Sequence, residues 1–246
     1  MKAKIVNRVD YLVGLCRGKR VLHLGCTSVP FTQEWLEAGH LLHERVERVA
    51  AVQYGIDSSE EGVELLRKRG YGNLAVADVE ELATRNPFGQ VEFDVILGGE
   101  ILEHLSNPGR FLEGLKPFLH TPGSRLVLTA PNSYCAYRFL YTFLTGREGV
   151  NPDHVAYYSP RTLTRLATRH GYSVEDWCYY RLGNEFEKTL NRGWGRILWW
   201  TDRVASLLLP ALGEGLIMTC KLEGPSEAVL VGAVSAVGAG SRSAAS

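Results

Sequence analysis

Val21-Leu22-His23-Leu24-Gly25-Cys26-Thr27-Ser28-Val29-Pro30-Phe31-Thr32 is the stretch on which the fold turns. Val21, Leu22 and Leu24 form a short apolar run of strand length, Gly25 opens a turn, and Phe31, Trp35 and Leu36 resume at helical spacing. A buried strand that feeds a helix through a glycine turn is where α/β proteins bring a nucleotide-like ligand to the backbone.

Outward from this stretch the same alternation repeats. Ala51 to Asp57 is a second apolar run ending in an acid. Ser58 or Ser59 then caps a helix that carries Glu60 and Glu61 in its first turn, Val63 and Leu66 on its inner face, and Gly70 at its end. Leu74 to Asp78, Phe93 to Glu100 and Leu126 to Asn132 read as further strands, with a helix over about 108–119 before the last of them. Ser159-Pro160 starts another helix, Gly171 closes it, and Tyr172 to Tyr180 and Gly215 to Leu222 complete a seven-stranded count. Strands separated by helices predict an α/β, Rossmann-like, mainly parallel sheet with helices on both faces. On the N-terminal side, Ile5, Val9, Leu12, Val13 and Cys16 are spaced for one helix from about Ile5, and Leu41 to Ala50 reads as an inserted helix.

At 246 residues with no internal linker, the chain is read as a single domain over 1–223. Within it, 181–214 is a helical and aromatic cap insertion, and 224–246, rich in Gly, Ala and Ser, is a disordered tail. Lys+Arg 27 balances Asp+Glu 27, so no duplex-binding surface is demanded. The five cysteines are widely spaced and form no C-x-x-C pair, which argues for reduced, buried thiols and against a zinc site or disulfide framework. Without a signal-peptide pattern at the N-terminus, the expected location is cytoplasmic.

Ligands of an open parallel sheet sit beyond the carboxyl ends of its strands. Here those ends are Gly25-Cys26-Thr27, Asp57, Asp78, Gly98-Gly99-Glu100 and Pro131-Asn132. An acid after the second strand can accept from both hydroxyls of a ribose, and Asp78 can accept from an adenine amino group. Each also has a plainer reading as the cap of the turn or helix that follows. A dinucleotide would need a glycine-rich turn offering amides to a pyrophosphate, whereas Pro30 has none, so a ligand with ribose and adenine but no phosphate fits better.

This pattern resembles class I S-adenosylmethionine-dependent methyltransferases, in particular the ubiquinone-pathway-type O-methyltransferase branch. The matching pieces are Val21 to Cys26, Tyr54-Gly55-Ile56-Asp57-Ser58-Ser59, Ala77-Asp78-Val79-Glu80, Phe93-Asp94-Val95-Ile96 leading to Glu100-Ile101-Leu102-Glu103-His104-Leu105, and Asp153 to Leu163 followed by Gly171-Tyr172. The chain departs from the family at His23, where an acid is usual, and at Thr27, where the second glycine of Gly-x-Gly is usual. The resemblance implies S-adenosylmethionine as cofactor, bound through Gly25, Cys26, Thr27, Asp57, Ser58, Asp78, Val79 and Glu100. It also implies methyl transfer to a small-molecule, sugar or lipid-linked acceptor, at oxygen. For such an acceptor a proton must be removed, and His104 and His154 are the candidates, with no metal expected.

Nucleic-acid amino-methyltransferases carry an Asn/Asp-Pro-Pro-aromatic turn where this chain has Gly98 to Ile101, so no nucleic acid partner is expected. The alternatives are a catalytically degenerate methyltransferase-like scaffold and a nicotinamide oxidoreductase. The stretch 194–209, whose Trp and Leu accompany Arg192, Arg196 and Arg203, is either a cap over the acceptor pocket or a peripheral membrane contact.

Overall fold

The structure, a computed structural model, describes residues 4–119, 123–181 and 194–223. The eight strands are β1 (Lys4–Val6), β2 (Arg20–Leu24), β3 (Val52–Asp57), β4 (Leu74–Val76), β5 (Val95–Gly99), β6 (Arg125–Pro131), β7 (Tyr172–Tyr180) and β8 (Gly215–Leu222). They form one sheet in the order β1-β7-β8-β6-β5-β2-β3-β4. Only β8 opposes its neighbours, pairing antiparallel with both β6 and β7. The helices between the strands are α1 (Arg8–Cys16), α2 (Thr32–Glu37), α3 (Leu42–Glu47), α4 (Glu60–Lys68), α5 (Pro108–Leu115), α6 (Ala136–Thr145), α7 (Pro160–Arg169) and α8 (Trp194–Leu208).

The α/β class and the mainly parallel sheet agree with the reading of the sequence, but the described residues form eight strands rather than seven. The additional one is β1, which pairs with β7 from Lys4↔Cys178 to Val6↔Tyr180. Ile5 therefore belongs to a strand and not to the first helix. Asn7 draws the boundary, because its side chain accepts from the Asp10 amide at 3.1 Å and starts α1 at Arg8.

Both faces of the sheet are buried. Leu22, Leu24, Ile96, Leu126 and Leu128 point to one side, against α5 and α7 through Phe111, Leu115, Leu163 and Ala167. Val21, Val95, Leu97 and Val127 point to the other, against Leu12 and Cys16 of α1 and Val46 of α3. The period-2 division explains why these strands read as continuous apolar runs. All five cysteines are buried and unpaired.

The described part of the expected cap, α8, packs on α6. Residues 182–193 of the 181–214 span, and the expected tail 224–246, lie outside the described residues. Among the described residues no helix is long and apolar enough to cross a membrane.

Candidate active site

The parallel strands deliver their carboxyl ends to one cleft of about 1010 Å³. Gly25, Cys26, Thr27, Asp57, Ser58, Asp78, Val79, Glu100, His104 and His154 all line it. The fold thus brings every residue singled out in the sequence to a common space, with a cofactor-like end at β2 to β4 and a second end beyond β5 and β6.

At the first end, β2 hands its chain to Gly25 at φ 69°, a left-handed conformation that favours glycine. A Cβ there would meet only Ile101 Cδ1 at 3.7 Å, so the backbone angle and not crowding demands the glycine. Two residues on, the Thr27 amide donates to Asp57 Oδ2 at 2.8 Å, and the Ser59 amide donates to Oδ1 at 2.9 Å. One carboxylate therefore pins the glycine turn to the start of α4. It retains a lone pair on each oxygen for a ligand. The helix cap itself is Ser59, whose hydroxyl accepts from the Gly62 amide at 3.1 Å. Asp78 accepts from the Glu80 amide through Oδ1 at 2.8 Å, which leaves Oδ2 for the cleft.

Thr27, where the resembled family has glycine, is accommodated from across the turn. A Cβ at Gly62 of α4 would lie 2.7 to 2.8 Å from the Thr27 side chain, so the missing glycine of the turn is matched by one on the facing helix. Gly62→Ala should destabilise the fold by about 1–3 kcal/mol through overpacking. Adding Thr27→Gly should recover most of that loss, and a double-mutant cycle in urea would show non-additivity. Additive losses would mean that the two positions do not share this space.

His23 is buried on β2 and faces the inserted helix α3. Its Nδ1 lies 3.2 Å from Nδ1 of His43, which is also 2.6 Å from Gln53 Nε2. The rings stack at 5.4 Å, and the Tyr71 ring lies 5.7 Å from His43. With Gln53 donating, His43 Nδ1 serves as an acceptor, so the His43 imidazole is held neutral. Burial, then His43 and Arg8, pushes His23 well below the ordinary value, and burial takes His43 from 6.5 to about 4.

A histidine depressed in the folded state contributes stability above its unfolded pKa and loses it as pH falls toward the folded one. Unfolding free energy should accordingly drop between pH 6.5 and about 4, by roughly 3 kcal/mol for His43 alone. His43→Gln should flatten that slope in urea melts taken from pH 4 to 7. An unchanged slope would remove His43 as its source.

The other end of the cleft collects acids, imidazoles and tyrosines. Glu100 holds a strained φ of 53° and is fixed by Thr129 Oγ1 at 2.8 Å, the Tyr180 hydroxyl at 2.6 Å and Arg8 at 3.9 Å. The next turn carries Glu103 and His104. Glu103 is fully buried, and among the described residues neither carboxylate oxygen has a hydrogen-bond partner. Burial, and then the Glu100 carboxylate, pushes it up to about 9.

His104 Nδ1 lies 3.2 Å from the Asp153 carbonyl. A carbonyl only accepts, so Nδ1 carries the proton and Nε2 keeps a lone pair. The His154 ring meets that of His104 edge-on at 4.6 Å, and its Nδ1 is 3.2 Å from the Tyr157 hydroxyl. Burial and then His104 hold His154 below its ordinary value, in the neutral form a base requires. Ligand atoms of Glu103, His104 and His154 lie within 4.8 Å of one another, so the three can also hold a cation. The adjacent Glu-His pair was visible in the sequence, but its third member lies fifty positions on and no regular spacing joins them.

Sequence reasoning passed over several lining residues. Asn7 and Arg8 enter from α1, Tyr137 and Arg138 from α6, and Tyr180, Arg181 and Glu214 from the ends of β7 and the loop before β8. None belongs to a local pattern, because each reaches the cleft through the sheet order.

The profile of the methyltransferase-domain family matches residues 1–176. The chain belongs to that family. Over 186 residues it is 27% identical to a protein named ubiquinone biosynthesis O-methyltransferase from Coxiella burnetii, covering 70% of this chain and 72% of that one. Among solved structures it is similar to an S-adenosylmethionine-dependent methyltransferase from Archaeoglobus fulgidus, with TM-score 0.54 at 18% identity over 87% of this chain and 91% of the other. It is also similar to magnesium protoporphyrin IX methyltransferase from Synechocystis PCC 6803 with bound S-adenosylhomocysteine, with TM-score 0.51 at 16% identity over 88% and 82%.

The protein is an S-adenosylmethionine-dependent methyltransferase. Its cleft fits that cofactor: the remaining lone pairs of Asp57 and Asp78 open at the ends of β3 and β4, and the turn at Gly25 leaves room above the backbone.

Proposed function

We propose that this methyltransferase acts on an oxygen of a small-molecule, sugar or lipid-linked acceptor. The observation that carries the reading is the Glu103, His104 and His154 cluster at the end of the cleft away from Asp57. When bound, S-adenosylmethionine supplies a methyl group on a positively charged sulfur, which needs no further activation as a leaving group. What remains for the protein is to align the acceptor and take a proton from its hydroxyl. Asp57 and Asp78 hold ribose and adenine, Gly25 to Thr27, Ser58 and Val79 shape the wall beside them, and Glu100 borders the two ends. His104 Nε2 and the neutral His154 are the proton acceptors.

A second reading of the same cluster follows from the two unpartnered oxygens of Glu103. A divalent cation bound by Glu103, His104 and His154 would lower the pKa of a coordinated acceptor hydroxyl and leave less for a base to do.

Isotope-labelled S-adenosylmethionine offered with phenols, sugars, amines and thiols tests the target atom. A labelled methyl ether is expected, and a labelled methylamine or carbon-methyl product would overturn the oxygen reading. A protein that binds S-adenosylhomocysteine but transfers no methyl group would favour the scaffold alternative.

Peripheral membrane contact through 194–209 is supported by the exposed Ile197, Trp200, Val204, Leu207 and Leu208 on α8, beside the exposed Phe139 and Phe143 of α6. Sedimentation with anionic vesicles is expected to carry the protein down, and a protein that stays in the supernatant would exclude that contact.

A further inference from the structure

We propose, resting on the methyl-transfer reading, that Arg138 binds a carboxylate of the acceptor and so selects hydroxy acids over neutral alcohols. Arg138 sits in the first turn of α6 and lines the acceptor end of the cleft. Its guanidinium carbon lies 5.0 Å from the Tyr157 ring centre and 5.2 Å from that of Tyr137. The Tyr157 hydroxyl in turn lies 3.2 Å from His154 Nδ1. Tyr157 therefore touches both groups, the guanidinium over its ring and the imidazole at its hydroxyl.

Of the five N–H donors of an arginine, one on Nη1 is committed to the Asn132 carbonyl at 3.1 Å. Among the described residues no carboxylate lies within ion-pair distance of Arg138. The acids that face it are otherwise disposed. Burial pushes Glu214 up to about 8, which keeps it neutral at pH 7, and burial likewise raises Asp202 to about 6, against the opposing pull of Arg181, Arg203 and then Arg138.

The result is a half-buried cation in a substrate cleft, stacked on tyrosine faces and, among the described residues, without a carboxylate in ion-pair contact. A charge removed from water is costly until a partner neutralises it, and the planar guanidinium fork matches a carboxylate through two parallel hydrogen bonds. The tyrosine faces add a cation–π contribution and fix the plane of the fork. An acceptor that places its hydroxyl at His104 and His154 can then meet Arg138 with a carboxylate across Tyr157, and this arrangement selects a molecule that carries both groups.

The test is calorimetric titration of the S-adenosylhomocysteine-saturated protein with 4-hydroxybenzoate and with neutral 4-hydroxybenzamide. Charge-assisted hydrogen bonds of this kind are worth about tenfold or more in affinity, so the wild-type protein should prefer the acid by at least about that factor. Arg138→Gln should abolish the preference while leaving affinity for the amide and for S-adenosylhomocysteine unchanged, and Arg138→Lys should restore part of it. Equal affinity of the wild type for acid and amide, no binding of either, or a parallel loss of both in Arg138→Gln would overturn the assignment. A loss of S-adenosylhomocysteine affinity in Arg138→Gln would likewise overturn it, by moving Arg138 to the cofactor. Failure of the wild-type protein to bind S-adenosylhomocysteine at all would instead strike at the methyl-transfer reading.

Discussion

Asp57→Ala is expected to weaken S-adenosylhomocysteine binding by about a hundredfold or more. A hydrogen bond to a charged group is worth about 1.5–3 kcal/mol, and the carboxylate can accept one from each ribose hydroxyl, so two such losses reach at least two orders of magnitude. A second loss compounds the first. Asp57 also accepts the amides of Thr27 at 2.8 Å and Ser59 at 2.9 Å, so its removal frees the turn that forms the wall of the site. Asp57→Asn separates the two effects: its Nδ2 can donate to a ribose hydroxyl but cannot accept from the Thr27 or Ser59 amide, so it should lose the charge and one acceptor and bind between the wild-type and alanine proteins. Each variant should remain folded, losing only about 1–2 kcal/mol, because both amides lie at the rim of the cleft and can turn to water. Calorimetry on protein of confirmed thermal transition decides the matter. A folded Asp57→Ala protein with unaltered affinity would reduce Asp57 to a turn-pinning residue.

The residues that line the cleft at the ends of β2, β3 and β4 were legible in the sequence because each is local to a strand end. Gly25 follows an apolar run, Asp57 ends the next, and Asp78 ends the one after, so the position of each could be read from hydrophobic periodicity alone. The features that escaped were those set by packing between distant segments. Lys4-Ile5-Val6 continues the helical spacing of α1, and only its pairing with β7 makes it a strand. Thr27 reads as a defect in a glycine turn until Gly62, thirty-five positions later, is found against it. His23 becomes intelligible only with His43, which the inserted helix α3 carries over the sheet. Arg138 and Tyr157 meet because α6 leaves the end of β6 and the loop before α7 returns to it at the Asn132–Tyr158 bridge, and no sequence period links them.

His104→Ala and His154→Ala are expected to lower kcat by about 10²–10⁴ while leaving S-adenosylhomocysteine affinity intact, the range typical for loss of a positioned proton acceptor. The two rings touch edge to face at 4.6 Å, so the losses should not add: the first substitution already removes the support of the second ring. Glu103→Gln then separates direct proton transfer from cation-assisted activation. Gln preserves the volume of the buried side chain and removes the negative charge. If the imidazoles act alone, the variant should keep most of its turnover, since among the described residues the Glu103 carboxylate has no hydrogen-bonding partner. If the three residues act through a cation, Glu103→Gln should fall as far as the histidine variants. In that case a chelator should reproduce the loss in the wild-type enzyme, and added Mn²⁺ or Zn²⁺ should restore it. Retention of turnover within about threefold in both histidine variants would remove the cluster from the chemistry and leave proton transfer to solvent, an effect far smaller than a positioned base provides.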